Sequence, residues 1–114
     1  MLVLWNGGDA DAIGEIYAPE YVDETRKELA QLREAFPDQR FEVERELIVD
    51  GAVVLCLRWH GTHLGSFASP LGEIAPTGRR FSTRGIEIFD VRDDRVVGVR
   101  TAWNFASLVA QLRG

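Results

Sequence analysis

Between residues 41 and 103 the chain reads as four strands in succession, each ended by a turn signal. No other feature limits its folds as strongly. Side chains of a strand alternate between two faces, so a period of two marks a strand with one drier side. The first run covers residues 41–49. Phe41, Val43, Leu47 and Val49 are expected on one face, and Glu42, Glu44, Glu46 and Ile48 on the other. Asp50-Gly51 then supplies a hairpin turn. The second run, residues 52–63, starts apolar at both parities, as a strand in the middle of a sheet does. A loop with Pro70, Gly72, Pro76 and Gly78 leads to a third strand near residues 81–91. Arg92-Asp93-Asp94-Arg95 turns the chain into a fourth, residues 96–103.

Helical spacing flanks this block. Asp9 can cap a first helix, with Ile13, Ile16 and Tyr17 on one face and Pro19 as its stop. Thr25-Arg26-Lys27-Glu28 matches a capping box, which predicts the start of a second helix. Leu29, Leu32 and Phe36 continue that helix to Pro37. Asn104 is a good cap for a last helix that turns Phe105, Leu108, Val109 and Leu112 inward. The expectation is one α+β domain over residues 1–114, a curved antiparallel sheet of about four strands wrapped by N-terminal helices, with a C-terminal helix. Such a sheet closes into a cone with one open end, and that concavity suits a small molecule.

Composition removes several function classes. The net charge of −5 argues against a nucleic-acid partner, which needs clustered positive charge. Twelve of the thirteen basic residues are arginine, which reads first as coding bias. No apolar run approaches the roughly 20 residues of a membrane span. The start MLVLWNGGD lacks the basic and long apolar segments of a signal peptide. A lone cysteine, Cys56, forms no internal disulfide or thiolate metal site. These features point to a cytoplasmic protein. Nucleotide-binding glycine motifs and the G-x-S-x-G nucleophile elbow are absent from the sequence. The only two histidines, His60 and His63, stand three apart on a strand and face opposite ways, so no metal site is expected.

Several short motifs together are more specific than any one alone. Gly61-Thr62-His63, Gly65, Phe67, Pro76-Thr77-Gly78-Arg79 and Leu108-Val109-Ala110-Gln111-Leu112 resemble the SnoaL-like polyketide cyclase family, also called ester cyclases. The early WNGGDADAI, YAPEYVDE and AFPDQRFEV resemble its helical half, so the resemblance runs over nearly the whole chain. It implies a nuclear-transport-factor-2-like cone, which agrees with the element order read above. It also implies cofactor-independent intramolecular aldol chemistry on an aromatic polyketide ester, and a homodimer. Such chemistry needs a base for a proton alpha to a carbonyl and a dry pocket for the enolate.

The resemblance also exposes departures. The family's aspartate before the last helix is Asn104 here, and an amide cannot act as a general base. Arg100 stands where an aromatic is usual, Gly98 at a common acidic position, and Glu24 where a histidine follows YVD. WNGGD lies almost at the start, which reads as a shortened first helix. The expected catalytic set is His63, Asn104, Arg100 and Glu87; if Gly98, Arg100, Ala102 and Asn104 share the pocket face, either Glu87 pairs with Arg100 or Arg100 is free to hold a substrate carboxylate or enolate oxygen. Trp59, Phe67, Trp103 and Glu24 are the expected substrate contacts. Each has a plainer reading. His63 can hold the following loop, Asn104 can be only a cap, and a one-residue shift of register would turn Arg100 outward. Trp5, Trp59 and Trp103 can be core alone. A non-catalytic binding module and a dimeric structural protein therefore stand beside the enzyme reading.

Overall fold

A computed structural model describes residues 5–114. The reading of the first four residues as no signal peptide lies outside it. A turn of 3-10 helix, Ala10–Ala12, runs into the short helix α1 (Ile13–Ile16). The long helix α2 spans Pro19–Ala35. Strands β1 (Arg40–Val49) and β2 (Ala52–Thr62) follow, then the small hairpin β3 (Phe67–Ser69) and β4 (Gly72–Ile74). Strands β5 (Arg80–Arg92) and β6 (Arg95–Trp103) lead to helix α3 (Phe105–Arg113). The four long strands form one antiparallel sheet in the order β1-β2-β5-β6. The α+β architecture expected from the sequence is the one observed.

Asp9 caps the 3-10 turn, its side chain accepting from the Asp11 N–H at 2.9 Å. The second helix begins earlier than expected. Pro19 starts α2 instead of stopping α1, because proline suits the first helical position, where its missing N–H costs nothing. The Thr25-to-Glu28 capping box is therefore not a cap. Those residues lie inside α2, with Thr25 buried. The segment before α2 is tied to the sheet edge, where the Ala18 N–H donates to the Val96 carbonyl at 2.9 Å.

The hairpin turns form as read. Gly51 has φ +77°, and Asp93 and Asp94 both take positive φ, which Asp tolerates better than most residues. The central place of β2 explains its two-sided apolar character. Leu55, Leu57 and Trp59 are buried on the inner face. Phe36, fully buried, is the hub of the core. Its ring meets those of Trp59, Phe67 and Phe81 at centroid distances of 5.4, 5.0 and 4.7 Å.

Two irregularities reverse parities that the alternation alone suggests. In β1 the pairing slips between Val43 and Arg45. Phe41 and Val43 face inward opposite Trp59 and Leu57, but Leu47 and Val49 lie opposite Val54 and Ala52 on the outer face. Glu44, at the bulge, meets Arg84 at 2.9 Å and Arg58 at 3.9 Å on that outer face. In β6 the second slip falls between the pairs Asp90–Gly98 and Val91–Val96. Val96 is inward and buried. Counting in twos from it selects Gly98, Arg100 and Ala102, but the extra residue hands the inner face to Val99, Thr101 and Trp103. Among the described residues no helix is long and apolar enough to cross a membrane.

Candidate active site

A cavity of about 510 Å³ lies between one stripe of α2 and the inner face of the sheet. Tyr21, Glu24 and Glu28 reach it from α2, at spacings that keep them on one side of a helix. Phe67 and Ala68 of β3 contribute to its wall. From the sheet come Phe41, Leu55, Leu57, Trp59, Glu87, Phe89, Val99, Thr101 and Trp103. Their pairings explain the set. Leu55 lies opposite Glu87 and Glu87 opposite Thr101, while Phe41 lies opposite Trp59.

The aromatic walls are fixed by packing and by their own polar edges. The Phe41 and Trp59 rings stack at 5.4 Å and 3°. Trp103 meets Trp59 edge-on at 5.5 Å. Each indole N–H has a partner, as buried tryptophan requires. Trp59 Nε1 donates to Gln39 Oε1 at 3.0 Å. Trp5 Nε1 donates to the Tyr17 hydroxyl oxygen at 3.2 Å, and Trp103 Nε1 donates to Glu87 Oε1 at 3.2 Å.

Glu87 is the polar group that this arrangement perturbs most usefully. Burial pushes its carboxyl up to about 7, against the pull of the Trp103 hydrogen bond and with a further push from the Glu28 carboxylate. A carboxyl poised near neutrality can both take and return a proton. Glu28 lines the cavity and is exposed. Packing of neighbouring atoms around its carboxyl raises it, and the charge of Glu24 raises it further. Tyr17 is nearly closed off, and burial moves its hydroxyl up to about 12, opposed by the Trp5 hydrogen bond and assisted by Glu87 and Glu28. Its oxygen accepts from Trp5, so the O–H remains a donor.

The residues expected from the sequence separate into two groups. Trp59, Phe67, Trp103, Glu24 and Glu87 all line the cavity. His63, Arg100 and Asn104 are not among its lining residues. Arg100 sits opposite Ile88 on the outer face and is exposed, so the expected Glu87–Arg100 pair does not form. The β6 slip is the cause. Asn104 caps α3, its side chain accepting from the Ser107 N–H at 3.0 Å.

His63 is wholly buried and binds the Thr77 loop instead. The Thr77 N–H donates to Nδ1 at 3.3 Å, and the Thr77 hydroxyl lies 3.0 Å from the same nitrogen. Nδ1 is thus an acceptor, which assigns the ring proton to Nε2. Nε2 is buried without a hydrogen-bond partner, and the Phe36 ring centroid lies 5.6 Å from that of the imidazole. The main chain completes the anchor. The His63 N–H donates to the Arg79 carbonyl and the Gly78 N–H to the His63 carbonyl, while the Leu64 and Gly65 N–H groups cap the Ala35 carbonyl. A Cβ at Gly65 would collide with the Glu34 carbonyl oxygen. The GTHLGSF and PTGRR segments therefore clamp the end of α2.

Sequence reasoning missed Tyr17, Glu28 and Thr101. The sequence pattern alone makes Glu28 part of a cap and Tyr17 part of a helix face. The signal that could have found Glu28 is the stripe Tyr21, Glu24, Glu28 on a helix whose other faces bury Leu29. Among the described residues no three His, Cys, Asp or Glu side chains gather closely enough to hold a metal ion.

The family model described as SnoaL-like polyketide cyclase matches residues 1–112. No curated protein sequence matches significantly. Among solved structures, TsrD from Streptomyces laurentii superposes with a TM-score of 0.88 at 21% identity, over 97% of this chain and 87% of that one. AclR from Streptomyces galilaeus, a proposed hydroxylase, gives 0.83 at 24%, over 98% and 75%. A SnoaL-like polyketide cyclase from Agrobacterium tumefaciens gives 0.81 at 19%, over 97% and 91%. At these identities the likeness speaks for the fold.

Proposed function

Because the chain belongs to the SnoaL-like polyketide cyclase family, we propose that it is an enzyme that closes or rearranges a ring in an aromatic or cyclic carbonyl compound by proton transfer, without a metal or organic cofactor. One observation carries this reading. The Glu87 carboxylate accepts from the Trp103 indole N–H inside an aromatic cavity large enough for a small molecule.

The chemistry follows from the groups present. Ionised Glu87 removes a proton alpha to a substrate carbonyl, and the C–H electron pair moves into an enolate. The Tyr17 O–H donates to that oxygen and stabilises the charge. The enolate carbon then attacks a second carbonyl of the same molecule. A carbon–carbon bond forms, and Glu87 returns its proton to the new alkoxide. Only a proton moves between protein and substrate, so the step balances with no further reagent. Positioned proton transfer of this kind contributes about 10²–10⁴-fold to rate. Asn104 and His63 act in this reading by holding α3 and the loop around Thr77.

The test is turnover of aromatic polyketide esters by the wild type, Glu87→Gln and Asn104→Asp. Glu87→Gln is expected to lose at least about a hundredfold while still binding ligand. Asn104→Asp is expected to keep wild-type rates. Full activity in Glu87→Gln would remove the base from the proposal. Ligand binding by an inert wild type would favour a binding module. A homodimer belongs to the same reading, and it would cover Leu47, Val49 and Ile86, which leave apolar surface exposed on the outer face. Sedimentation velocity reads that directly.

A further inference from the structure

We propose that the molecule taken by this pocket is a cation: a ring system carrying a protonated amine or a quaternary ammonium group, with its charge seated among Glu24, Glu28 and Glu87. The inference rests on the reading of the cavity as the substrate site and adds the charge of the occupant.

Two independent properties of the wall point the same way. The first is sign. Glu24, Glu28, Glu34 and Glu87 line the cavity, and among the described residues no lysine, arginine or histidine lines it. A substrate carboxylate or phosphate would meet only like charges there, Glu87 on the sheet and the three more exposed glutamates of α2. The second is surface type. Trp5, Tyr17, Tyr21, Trp59, Phe67 and Trp103 are among the lining residues. Aromatic faces attract cations through their negative quadrupole, most strongly for tryptophan. An apolar cavity for a neutral ring needs aromatic walls but not four carboxylates. A bare metal ion needs carboxylates brought together, and these do not converge on one point. A large organic cation uses both features, with its charge spread over several carboxylates and its body against the rings. Electrostatics within the wall agree. Burial is the main cause that raises the Glu28 and Glu87 carboxyls, and a smaller push comes from Glu24 on Glu28 and from Glu28 on Glu87, a repulsion that a bound cation would relieve.

The matched probes are benzyltrimethylammonium, its neutral carbon isostere neopentylbenzene, and 4-tert-butylbenzoate. Binding to the wild type is followed by tryptophan fluorescence and by NMR of the indole N–H signals. The ammonium is expected to bind at least about tenfold tighter than the neutral isostere, and the benzoate weakest of all. Glu28→Gln and Glu87→Gln should each narrow the ammonium preference, while the neutral compound's affinity holds. Equal or tighter binding of the neutral compound or of benzoate, at the same indole signals, overturns the charge assignment and leaves the pocket reading intact. If none of the three moves the Trp59 and Trp103 indole signals, the pocket reading falls, and this inference falls with it.

Discussion

Replacing Glu87 by glutamine tests the electrostatics of the site without knowledge of the substrate. Moving a carboxyl from 4.5 to about 7 separates its protonation states by roughly 3 kcal/mol. The sign follows from linkage. The folded chain holds this proton more tightly than the unfolded chain does, so folding is favoured where Glu87 is protonated. That contribution is complete below the unfolded value, is lost as pH rises toward about 7, and stays lost above it. Glutamine keeps the shape and the acceptor for the Trp103 indole but does not titrate. The variant should therefore gain on the wild type as pH rises, by up to roughly 3 kcal/mol at the alkaline plateau. The added amide N–H₂ needs partners of its own, which trims the gain. For a domain of this size 1 kcal/mol moves Tm by roughly 4 °C, so the separation reaches on the order of 10 °C. Urea unfolding of both proteins across about pH 4 to 8 reads the difference directly, because the other titrations cancel. A difference that is flat across this range, or that grows toward acid, would refute the placement of Glu87 as a buried, half-ionised carboxyl.

Other perturbations separate scaffold from site. Asn104→Ala should cost about 1 kcal/mol by uncapping α3, and Asn104→Asp should restore it, both read by thermal unfolding. Gly85→Ala places a Cβ 2.4 Å from the Trp103 ring, so it should cost about 1–3 kcal/mol and change the near-UV circular dichroism as Trp103 moves off Glu87. His63→Ala should destabilise by about 2–4 kcal/mol with ligand affinity unchanged in the folded fraction. Arg100→Ala should lie within about 0.5 kcal/mol of the wild type and leave affinity unchanged.

Much of the fold was legible because its signals are local. Asp50-Gly51 and Asp93-Asp94 announce turns through their own backbone preferences, and the apolar run of β2 announces a central strand. The bulges were not legible. A bulge adds one residue to one strand, and its cause lies in the partner strand and the twist of the pair. Its consequence is large, because it decides whether Arg100 or Thr101 faces the cavity. Pro19 misled for a different reason, since proline ends one helix as readily as it begins another. The candidate site divides along the same line. Glu87, Trp59 and Trp103 sit on regular stretches of strand, and counting in twos places them. His63 was read from a motif, and a motif does not say whether the side chain serves the cavity or the clamp beneath it.

The three carboxylates also suggest how the base would be made ready. Burial pushes the Glu87 carboxyl up to about 7, so at neutral pH a share of the molecules hold a proton there. A cation seated beside it reverses that balance, because an opposite charge within a few ångströms favours the ionised form. Ligand arrival would thus expel the proton and leave Glu87 as carboxylate at the moment a base is needed. The same coupling means that binding tightens as pH rises through about 7. Calorimetry with benzyltrimethylammonium, in buffers of different ionisation enthalpy, measures the protons released. Near pH 7 the expectation is roughly half a proton per ligand bound, falling toward zero at alkaline pH and abolished by Glu87→Gln. Uptake of protons, or release that survives in Glu87→Gln, would show that some other group answers the ligand's charge.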